Sequence, residues 1–274
     1  MKHNPYASVS ATVENIIPET SNITTFTFRP EEPIPFKAGQ FVELSVPGLG
    51  EAPFTPSSSP AAKDIMDVTI MRVGSVTERI HALNKGAKVG IRGPLGQPYP
   101  LDKFKGKEVL IVGGGVGLAP LRALFFALIE EKDAYKKIII RYGARSPADI
   151  VYRTEVPTAW GNPKVDLLLT VDKGDEGWKG NIGVVTTILD KNKLSVNIKN
   201  SVAVVCGPPI MMKFATLKLL ELGYPPEGIY LSMEKNMSCG IGKCGHCRIG
   251  PYYACKDGPV FTYDKIINEP RIWD

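Results

Sequence analysis

The sequence predicts an antiparallel β-barrel, then a parallel α/β domain, then a small C-terminal metal-binding domain. Short runs rich in Val, Ile, Thr and Phe follow one another through about the first hundred residues. Apolar strands then alternate with helical segments. Finally, four of the five cysteines lie between residues 239 and 255. The 274 residues are enough for this β + α/β arrangement, and we predict domains at 1–102, 103–228 and 229–274.

The composition is that of an ordinary globular protein. Hydrophobic residues make up 43% of the chain and charged residues 22%, and the 33 basic and 28 acidic residues are interspersed. This pattern argues against a nucleic-acid partner. The longest apolar stretch, residues 109–129, contains four glycines, Pro120 and Arg122, so we expect no membrane span. The N-terminus lacks the apolar core of a secretory signal, and we therefore expect a cytoplasmic protein.

The first domain is predicted from five β-type runs and one short helix. Several runs show the period-two alternation of half-buried strands. They cover residues 7–17, 22–30, 40–47, 66–73 and 87–94. The helix is predicted over residues 77–83, with Thr77 as its N-cap.

The second domain is predicted from short, continuous apolar strands at residues 107–113, 136–143, 164–171 and 201–207. Such strands are typical of a parallel sheet with helices on both faces. A helix is predicted from about Ala119 to Glu131. Residues 99–106 are the expected boundary with the first domain.

Three strand ends of this domain suggest a nucleotide. Between the first strand and its helix stand Gly113, Gly114, Gly115 and Gly117, where backbone amides can approach a phosphate. The G-x-G-x-x-G register is absent, so an ordinary tight turn is the alternative. Cys206-Gly207-Pro208 follows another strand. Arg145-Ser146 follows a third, either to bind an adenosine 2′-phosphate or with the arginine merely in solvent.

The cysteine cluster predicts an iron–sulfur centre. Cys239-x4-Cys244-x2-Cys247-x7-Cys255 begins with the spacing of plant-type two-iron clusters, which need four thiolates on two irons. Glycines in the loop allow it to wrap closely and to direct amides at sulfur. The alternatives are a structural zinc site, although only one C-x2-C pair is present, and four simply reduced cysteines. We expect neither His246 nor the distant Cys206 to be a ligand. The residues that follow the loop, 248–261, are predicted to form a hairpin.

Taken in order, these features resemble the ferredoxin reductase superfamily, in the branch that ends in a two-iron domain. The motifs that carry the resemblance are GGGVGLAP, CGPP, TVDKGDEGWKGNIGVVT and MEKNMSCGIGKCGHC. The resemblance is strongest to the gamma, or diaphorase, subunits of cytoplasmic nickel-iron hydrogenases and sulfhydrogenases. The similar subunit of anaerobic sulfite reductase and the electron-transfer subunit of dihydroorotate dehydrogenase belong to the same branch.

The resemblance implies a flavin-binding site in the β-barrel. The family's Arg-x-Tyr-Ser motif falls on Ala52-Pro53-Phe54-Thr55. Phe54 is then expected to face the isoalloxazine, and Thr55 to lie near its reactive nitrogen. Ala52 stands where an arginine is usual, so the choice of FAD over FMN stays open, with FAD as the expected cofactor.

A second flavin motif and a nicotinamide site follow from the same resemblance. The amides of one turn are expected to receive the flavin pyrophosphate, with Arg72 adding charge; this turn is Gly74, Ser75, Val76 and Thr77. The positions that match the family's nicotinamide-nucleotide site are Gly114, Gly115, Gly117, Leu118, Ala119, Pro120, Gly207 and Pro208. Cys206 is expected close to the nicotinamide ring and, with Thr55, to be a catalytic residue. Arg145 and Ser146 favour NADPH slightly over NADH.

The resemblance also implies the activity. The chain is expected to be an oxidoreductase subunit that passes electrons between NAD(P)H and a partner enzyme through FAD and a [2Fe–2S] cluster. The expected partners are other subunits of a hydrogenase or of a sulfur or sulfite reductase complex. Two alternatives stay open: the electron-transfer subunit of dihydroorotate dehydrogenase, and a non-redox nucleotide-binding subunit with a structural zinc in its tail.

Overall fold

The structure is a computed structural model that describes residues 4–156, 165–190 and 192–274. The chain divides into two compact units. The first comprises Met1–Tyr99, Arg122–Ala127 and Met233–Val260. The second comprises Pro100–Leu121, Leu128–Ser232 and Phe261–Asp274. Among the helices of the described residues, none is both long and apolar enough to cross a membrane.

The first unit contains the predicted antiparallel barrel. Its six strands are β1 (Val9–Pro18), β2 (Ile23–Pro30), β3 (Phe41–Val46), β4 (Gly50–Phe54), β5 (Met66–Met71) and β6 (Lys88–Leu95). They are hydrogen-bonded in the order β4-β3-β6-β1-β2-β5. A bridge between Pro56 and Val68 joins the two ends of this order. All five predicted strands are confirmed, and β4, which carries no β-type sequence pattern, is an addition.

The short helix of the barrel differs from its prediction at the N-terminus. Helix α1 spans Ser75–His81, with Gly74 as its N-cap. Thr77 is therefore not the N-cap but the third helical residue. Its Oγ1 accepts hydrogen bonds from the Val73 and Gly74 N–H groups, at 2.9 Å each. A side chain within the helix thus provides the acceptor for the backbone N–H groups at the helix N-terminus. The sequence pattern therefore predicts a start of α1 that is too late.

The second unit is built on a seven-stranded sheet. Its strands are β7 (Glu108–Gly114), β8 (Lys137–Ala144), β9 (Val165–Val171), β10 (Asn181–Ile182), β11 (Ser201–Cys206), β12 (Ile229–Ser232) and β15 (Val260–Thr262). Their order is β10-β9-β8-β7-β11-β12-β15. The central strands β7 and β11 are buried along nearly their whole length, which explains their continuous apolar sequences. The predicted fold class is confirmed.

Two helices connect the central strands. Helix α2 spans Leu118–Glu130 and follows β7, while α3 spans Pro209–Leu222 and follows β11. From β7 the chain moves to β8 on one side of the sheet, and from β11 it moves to β12 on the other. The sheet therefore reverses its winding between β7 and β11, which is where ligands bind in folds of this type.

The C-terminal segment corrects one prediction. The sequence suggests a single hairpin over residues 248–261, but the hairpin is shorter: β13 (Arg248–Ile249) pairs with β14 (Tyr252–Tyr253). The following strand, β15, joins the seven-stranded sheet instead, and helix α4 (Tyr263–Ile266) follows it. The four clustered cysteines lie in the part that groups with the barrel. The division into three functional domains stays a prediction.

Candidate functional site

In the first unit, the loop after β4 is fixed by hydrogen bonds to β5. The Ser57 N–H donates to the Asp67 carbonyl at 2.7 Å, and the Asp67 N–H donates to Ser58 Oγ at 3.1 Å. The buried Arg122 guanidinium donates to the Ser57 carbonyl at 2.9 Å. Pro53, Phe54 and Thr55, immediately before this anchor, are half-buried. Phe54 and Thr55 therefore have a constrained backbone and partly accessible side chains, as a flavin-contacting segment requires.

The first turn of α1 offers amides for an anion. The Glu78 N–H bonds to the Gly74 carbonyl at 2.8 Å and closes the first helical turn. The preceding amides, those of Ser75, Val76 and Thr77, have no helical carbonyl available to them. The Arg72 side chain, three residues before Ser75, is exposed. Three amides and one cation fit a pyrophosphate group.

In the second unit, two glycine-containing turns meet at the reversal point of the sheet. Cys206 is the register partner of Gly113, so the segments that follow β7 and β11 are adjacent. A Cβ on Gly117 would lie 2.6 Å from the Cys206 carbonyl oxygen, and one on Gly114 would lie 2.7 Å from Met211 Cε. The two backbones are therefore in direct contact, and Gly117 is required by this close approach. Cys206 is buried at the same edge.

The glycine turn is also held from the side. Gly115 has a left-handed backbone, with φ of +53°. Its carbonyl accepts a hydrogen bond from the Tyr142 hydroxyl at 3.1 Å, and that hydroxyl accepts one from the Val151 N–H at 3.3 Å. Leu118, Ala119 and Pro120 then begin α2, so the turn presents a helix N-terminus as predicted.

The end of β8 carries the predicted determinants for the nucleotide phosphate. Arg145 is exposed, and Ser146 is half-buried. The Ser146 hydroxyl donates to Asp149 Oδ2 at 2.6 Å. The Ser146 hydroxyl proton is therefore directed at the Asp149 carboxylate. Of Arg145 and Ser146, it is the exposed Arg145 that can donate to a ligand in solvent.

The four clustered cysteines are arranged as two pairs. The Cys239 side chain interacts electrostatically with that of Cys244, and the Cys255 side chain with that of Cys247. The Lys243 and Cys244 amides donate to Cys239 Sγ at 3.3 and 3.4 Å, and the Gly242 amide donates to Cys255 Sγ at 3.1 Å. Within the described ranges, no three His, Cys, Asp or Glu side chains converge as ligands of one ion. Two thiol pairs with amides on their sulfurs fit a two-iron cluster.

The thiols differ in their ease of ionisation. Burial raises the pKa of Cys239, but backbone N–H groups of its own loop outweigh this and lower the pKa to about 6. Burial and a hydrogen bond with Cys247 raise the pKa of Cys255 to about 12. Of these two thiols, Cys239 is therefore the better prepared to bind metal as thiolate, while Cys255 needs the metal charge to ionise.

A buried charge cluster beneath the cysteine loop was not anticipated from the sequence. Arg92 Nη1 donates to the Cys239 carbonyl at 3.2 Å, and Arg92 Nη2 donates to Glu51 Oε2 at 2.6 Å. Glu43, the register partner of Arg92, is fully buried. Its two oxygens have no hydrogen-bond partner in the described residues, and burial raises its pKa to about 7. A glutamate inside the apolar run FVELSV was the available sequence signal.

Gly240 connects the cysteine loop with this charge cluster. It has a φ of +70°, and a Cβ there would lie 2.7 Å from Leu95 Cδ1 and 3.2 Å from Glu43 Oε1. The loop therefore packs tightly on the barrel at the residue next to Cys239. Glycine is required here by both the backbone conformation and the contact.

Three family models match successive parts of the chain. Residues 10–99 match the oxidoreductase FAD-binding domain, and residues 111–216 match the oxidoreductase NAD-binding domain. Residues 234–267 match the iron-sulfur cluster binding domain of dihydroorotate dehydrogenase B. A solved structure of the NADH-dependent reduced ferredoxin-NADP oxidoreductase covers 97% of this chain and 93% of its own, with 28% identity and a TM-score of 0.75. The chain is thus an NAD(P)H-dependent flavin oxidoreductase subunit with an iron–sulfur cluster binding segment.

Among full-length relatives, the sulfhydrogenase 1 and 2 gamma subunits of Pyrococcus furiosus are 37% and 38% identical. These alignments cover 99% and 95% of this chain, and 96% of each relative. A probable dihydroorotate dehydrogenase B electron transfer subunit of Pyrococcus abyssi is 37% identical over 89% of this chain and 86% of its own. The chain belongs to the family of these sulfhydrogenase gamma and dihydroorotate dehydrogenase B electron-transfer subunits. The resemblance predicted from the motifs is confirmed.

Proposed function

We propose that this chain passes electrons between a nicotinamide nucleotide and a partner redox enzyme through FAD and a [2Fe–2S] cluster. Cys239, Cys244, Cys247 and Cys255 would hold the cluster as thiolates. The observation that carries the proposal is the pairing of the four thiols, with three backbone amides donating to two of the sulfurs. Such amide bonds stabilise the negative charge of a thiolate-bound cluster.

A bound flavin exchanges electrons singly or in pairs, and so can connect a two-electron nicotinamide with a one-electron cluster. The chain's own residues bind and orient. Phe54 and Thr55 contact the flavin ring, while the amides of Ser75, Val76 and Thr77 bind its pyrophosphate. The hydrogen bonds from β5 and Arg122 keep the Phe54–Thr55 segment in place.

The glycine turn after β7 binds the nucleotide pyrophosphate. Gly115 is half-buried and Gly114 and Gly117 are buried, and without side chains the three leave the backbone of the turn open to close approach by a phosphate. Leu118, Ala119 and Pro120 supply the positive end of α2. Gly207 and Pro208 form the opposite wall, because they follow the neighbouring strand β11. Cys206, at the end of that strand, lies at the nicotinamide ring and limits its access to water.

The partner belongs to a hydrogenase or to a sulfur or sulfite reductase complex. Two sulfhydrogenase gamma subunits align with this chain over 96% of their own length, which supports this assignment. The second candidate is a dihydroorotate dehydrogenase complex. It is supported by the match of residues 234–267 to that enzyme's iron–sulfur domain.

The test is a visible absorption spectrum of protein purified without oxygen, with iron and acid-labile sulfide counted. We expect two irons, two sulfides and one FAD per chain, and bleaching on addition of NADH or NADPH. Cys255→Ala should lose the iron. Cys206→Ala is the matched control, because it removes a buried thiol outside the proposed ligand set and should keep the iron. A colourless protein with one zinc would favour the structural-zinc alternative.

A further inference from the structure

The cysteine loop and the segment that follows it carry basic side chains and no acidic ones. Residues 235–256 contain no Asp or Glu, and their cations are Lys235, Lys243, Arg248 and Lys256. We use the name basic rim for Lys243, His246 and Arg248, which are all exposed. In a chain with 28 acidic residues, a 22-residue run without one is a local imbalance of charge.

Along the chain, the basic rim adjoins Cys244 and Cys247 of the proposed ligand set. Cys247 and Cys255 are each 1% exposed, whereas Cys244 is exposed to solvent. Lys243 precedes Cys244 directly, and His246 and Arg248 flank Cys247. A redox partner that approaches the ligand set from solvent therefore meets Cys244 and these three side chains.

Contacts hold the side chains of the basic rim in position. Lys243 Nζ lies 5.4 Å from the centroid of the Tyr6 ring. The His246 ring is hydrogen-bonded to Ser238 Oγ at 2.9 Å, and Arg248 donates to the Gly250 carbonyl at 3.0 and 3.2 Å. Side chains that are already ordered lose less entropy on binding than mobile ones. Such order favours a docking surface over a set of freely solvated charges.

We propose that the basic rim docks an acidic protein surface that brings a one-electron redox centre to Cys244. This inference rests on the proposed function and names the surface chemistry of the partner. One nicotinamide nucleotide, oxidised with release of one proton, supplies two electrons, and these reduce two partner centres by one electron each. Complementary charge raises the rate of encounter by about ten- to a thousandfold at low salt.

The test uses two soluble one-electron acceptors of opposite charge, the acidic cytochrome b5 and the basic cytochrome c. The double variant Lys243→Glu/Arg248→Glu reverses the basic rim and keeps the Lys243 amide. Lys136→Glu is the matched control, an exposed lysine immediately before β8. Reduction of both acceptors by the loaded protein is followed at low and at high salt.

We expect the double variant to reduce cytochrome b5 at least tenfold more slowly than the wild type at low salt. High salt should slow the wild type and remove most of this difference, because ions screen the attraction. Cytochrome c should be reduced as fast or faster by the double variant. Lys136→Glu should stay within twofold of the wild type with both acceptors.

Two outcomes overturn the inference. One is wild-type reduction of cytochrome b5 that is insensitive both to salt and to the double variant. The other is a slowing that is equal for the two acceptors and independent of salt, which would mean that the cations only offset the charge of the cluster.

Failure of the proposed function is distinguishable, since the wild type would then lack iron or would not bleach. If the double variant loses iron, Lys243→Gln/Arg248→Gln tests the same salt dependence with a smaller, roughly threefold, effect.

Discussion

The two turns proposed to bind the nucleotide, after β7 and β11, and the cysteine loop each place backbone against a proposed ligand. They are held in position in different ways. The glycine turn after β7 is positioned by the sheet, since β7 and β11 are paired from Ser201 to Cys206. The cysteine loop contains no helix or strand of its own between residues 233 and 247. It is positioned by a left-handed Gly240, by Arg92 on the Cys239 carbonyl, and by amides on sulfur. Topology therefore determines one site, and individual contacts determine the other.

The largest effect is expected at Gly117, where we can test whether the sheet determines the position of the glycine turn. A methyl group there would lie 2.6 Å from backbone atoms of the neighbouring strand end, which cannot move without disturbing the sheet. We expect Gly117→Ala to lower the free energy of unfolding by about 3 kcal/mol and to abolish bleaching by NADH. Thermal unfolding and nucleotide titration measure both effects.

The matched control is Gly115→Ala. A Cβ at Gly115 meets nothing within 4 Å, and only its φ of +53° opposes the change. We expect a loss of about 1 kcal/mol, the usual penalty for a left-handed non-glycine residue. Equal effects of the two substitutions would contradict the idea that close backbone contact determines this site.

The charge cluster beneath the cysteine loop predicts a pH dependence of stability. Burial raises the pKa of Glu43 from 4.5 to about 7. At Glu43 the folded state therefore binds a proton more tightly than the unfolded state does. The contribution of this group to stability is fully present below pH 4.5 and is lost as the pH rises through 7. The full loss corresponds to about 3 kcal/mol.

Glu43→Gln removes this titration while it keeps the shape of the side chain. We expect the difference in Tm between variant and wild type to grow in favour of the variant from pH 5 to pH 8. The measurement is calorimetry of the loaded proteins at matched ionic strength. A difference that does not change with pH would show that Glu43 does not titrate in this range.

A smaller effect is expected at Gly240. Its Cβ would meet Leu95 Cδ1 at 2.7 Å, but a leucine side chain can rotate away, unlike the backbone at Gly117. We expect Gly240→Ala to cost about 2 kcal/mol of stability and to lower the iron content of the purified protein. Gly245→Ala is its control, because Gly245 also has a positive φ but has nothing within 4 Å of its Cβ. If both variants retain iron equally, the packing of Gly240 on the barrel does not position the loop.

The same contrast explains what the sequence could predict. Apolar strands followed by GGGVG and CGPP indicate two turns at one sheet edge, because parallel strands end together. The C-x4-C-x2-C spacing predicts the cluster ligands from the sequence alone, with no knowledge of the fold. The Glu43–Arg92 pairing depends on the register of β3 and β6, which no local pattern specifies. The hairpin predicted over residues 248–261 is wrong at β15 for the same reason, since the partner of this strand is β12, which lies before the cysteine loop.

Arg145 offers the smallest effect, and it concerns the choice of nucleotide. Ser146 donates its hydroxyl to Asp149, so only the Arg145 guanidinium at this strand end remains directed to solvent. A hydrogen bond between charged groups contributes about 1.5–3 kcal/mol, so we expect Arg145→Ala to raise KM for NADPH by at least about tenfold and to leave KM for NADH within about twofold. Lys136→Ala, at the opposite end of β8, should change neither. An unchanged KM for NADPH in Arg145→Ala would remove the reason to prefer that nucleotide, because the carboxylate of Asp149 disfavours a 2′-phosphate at this strand end.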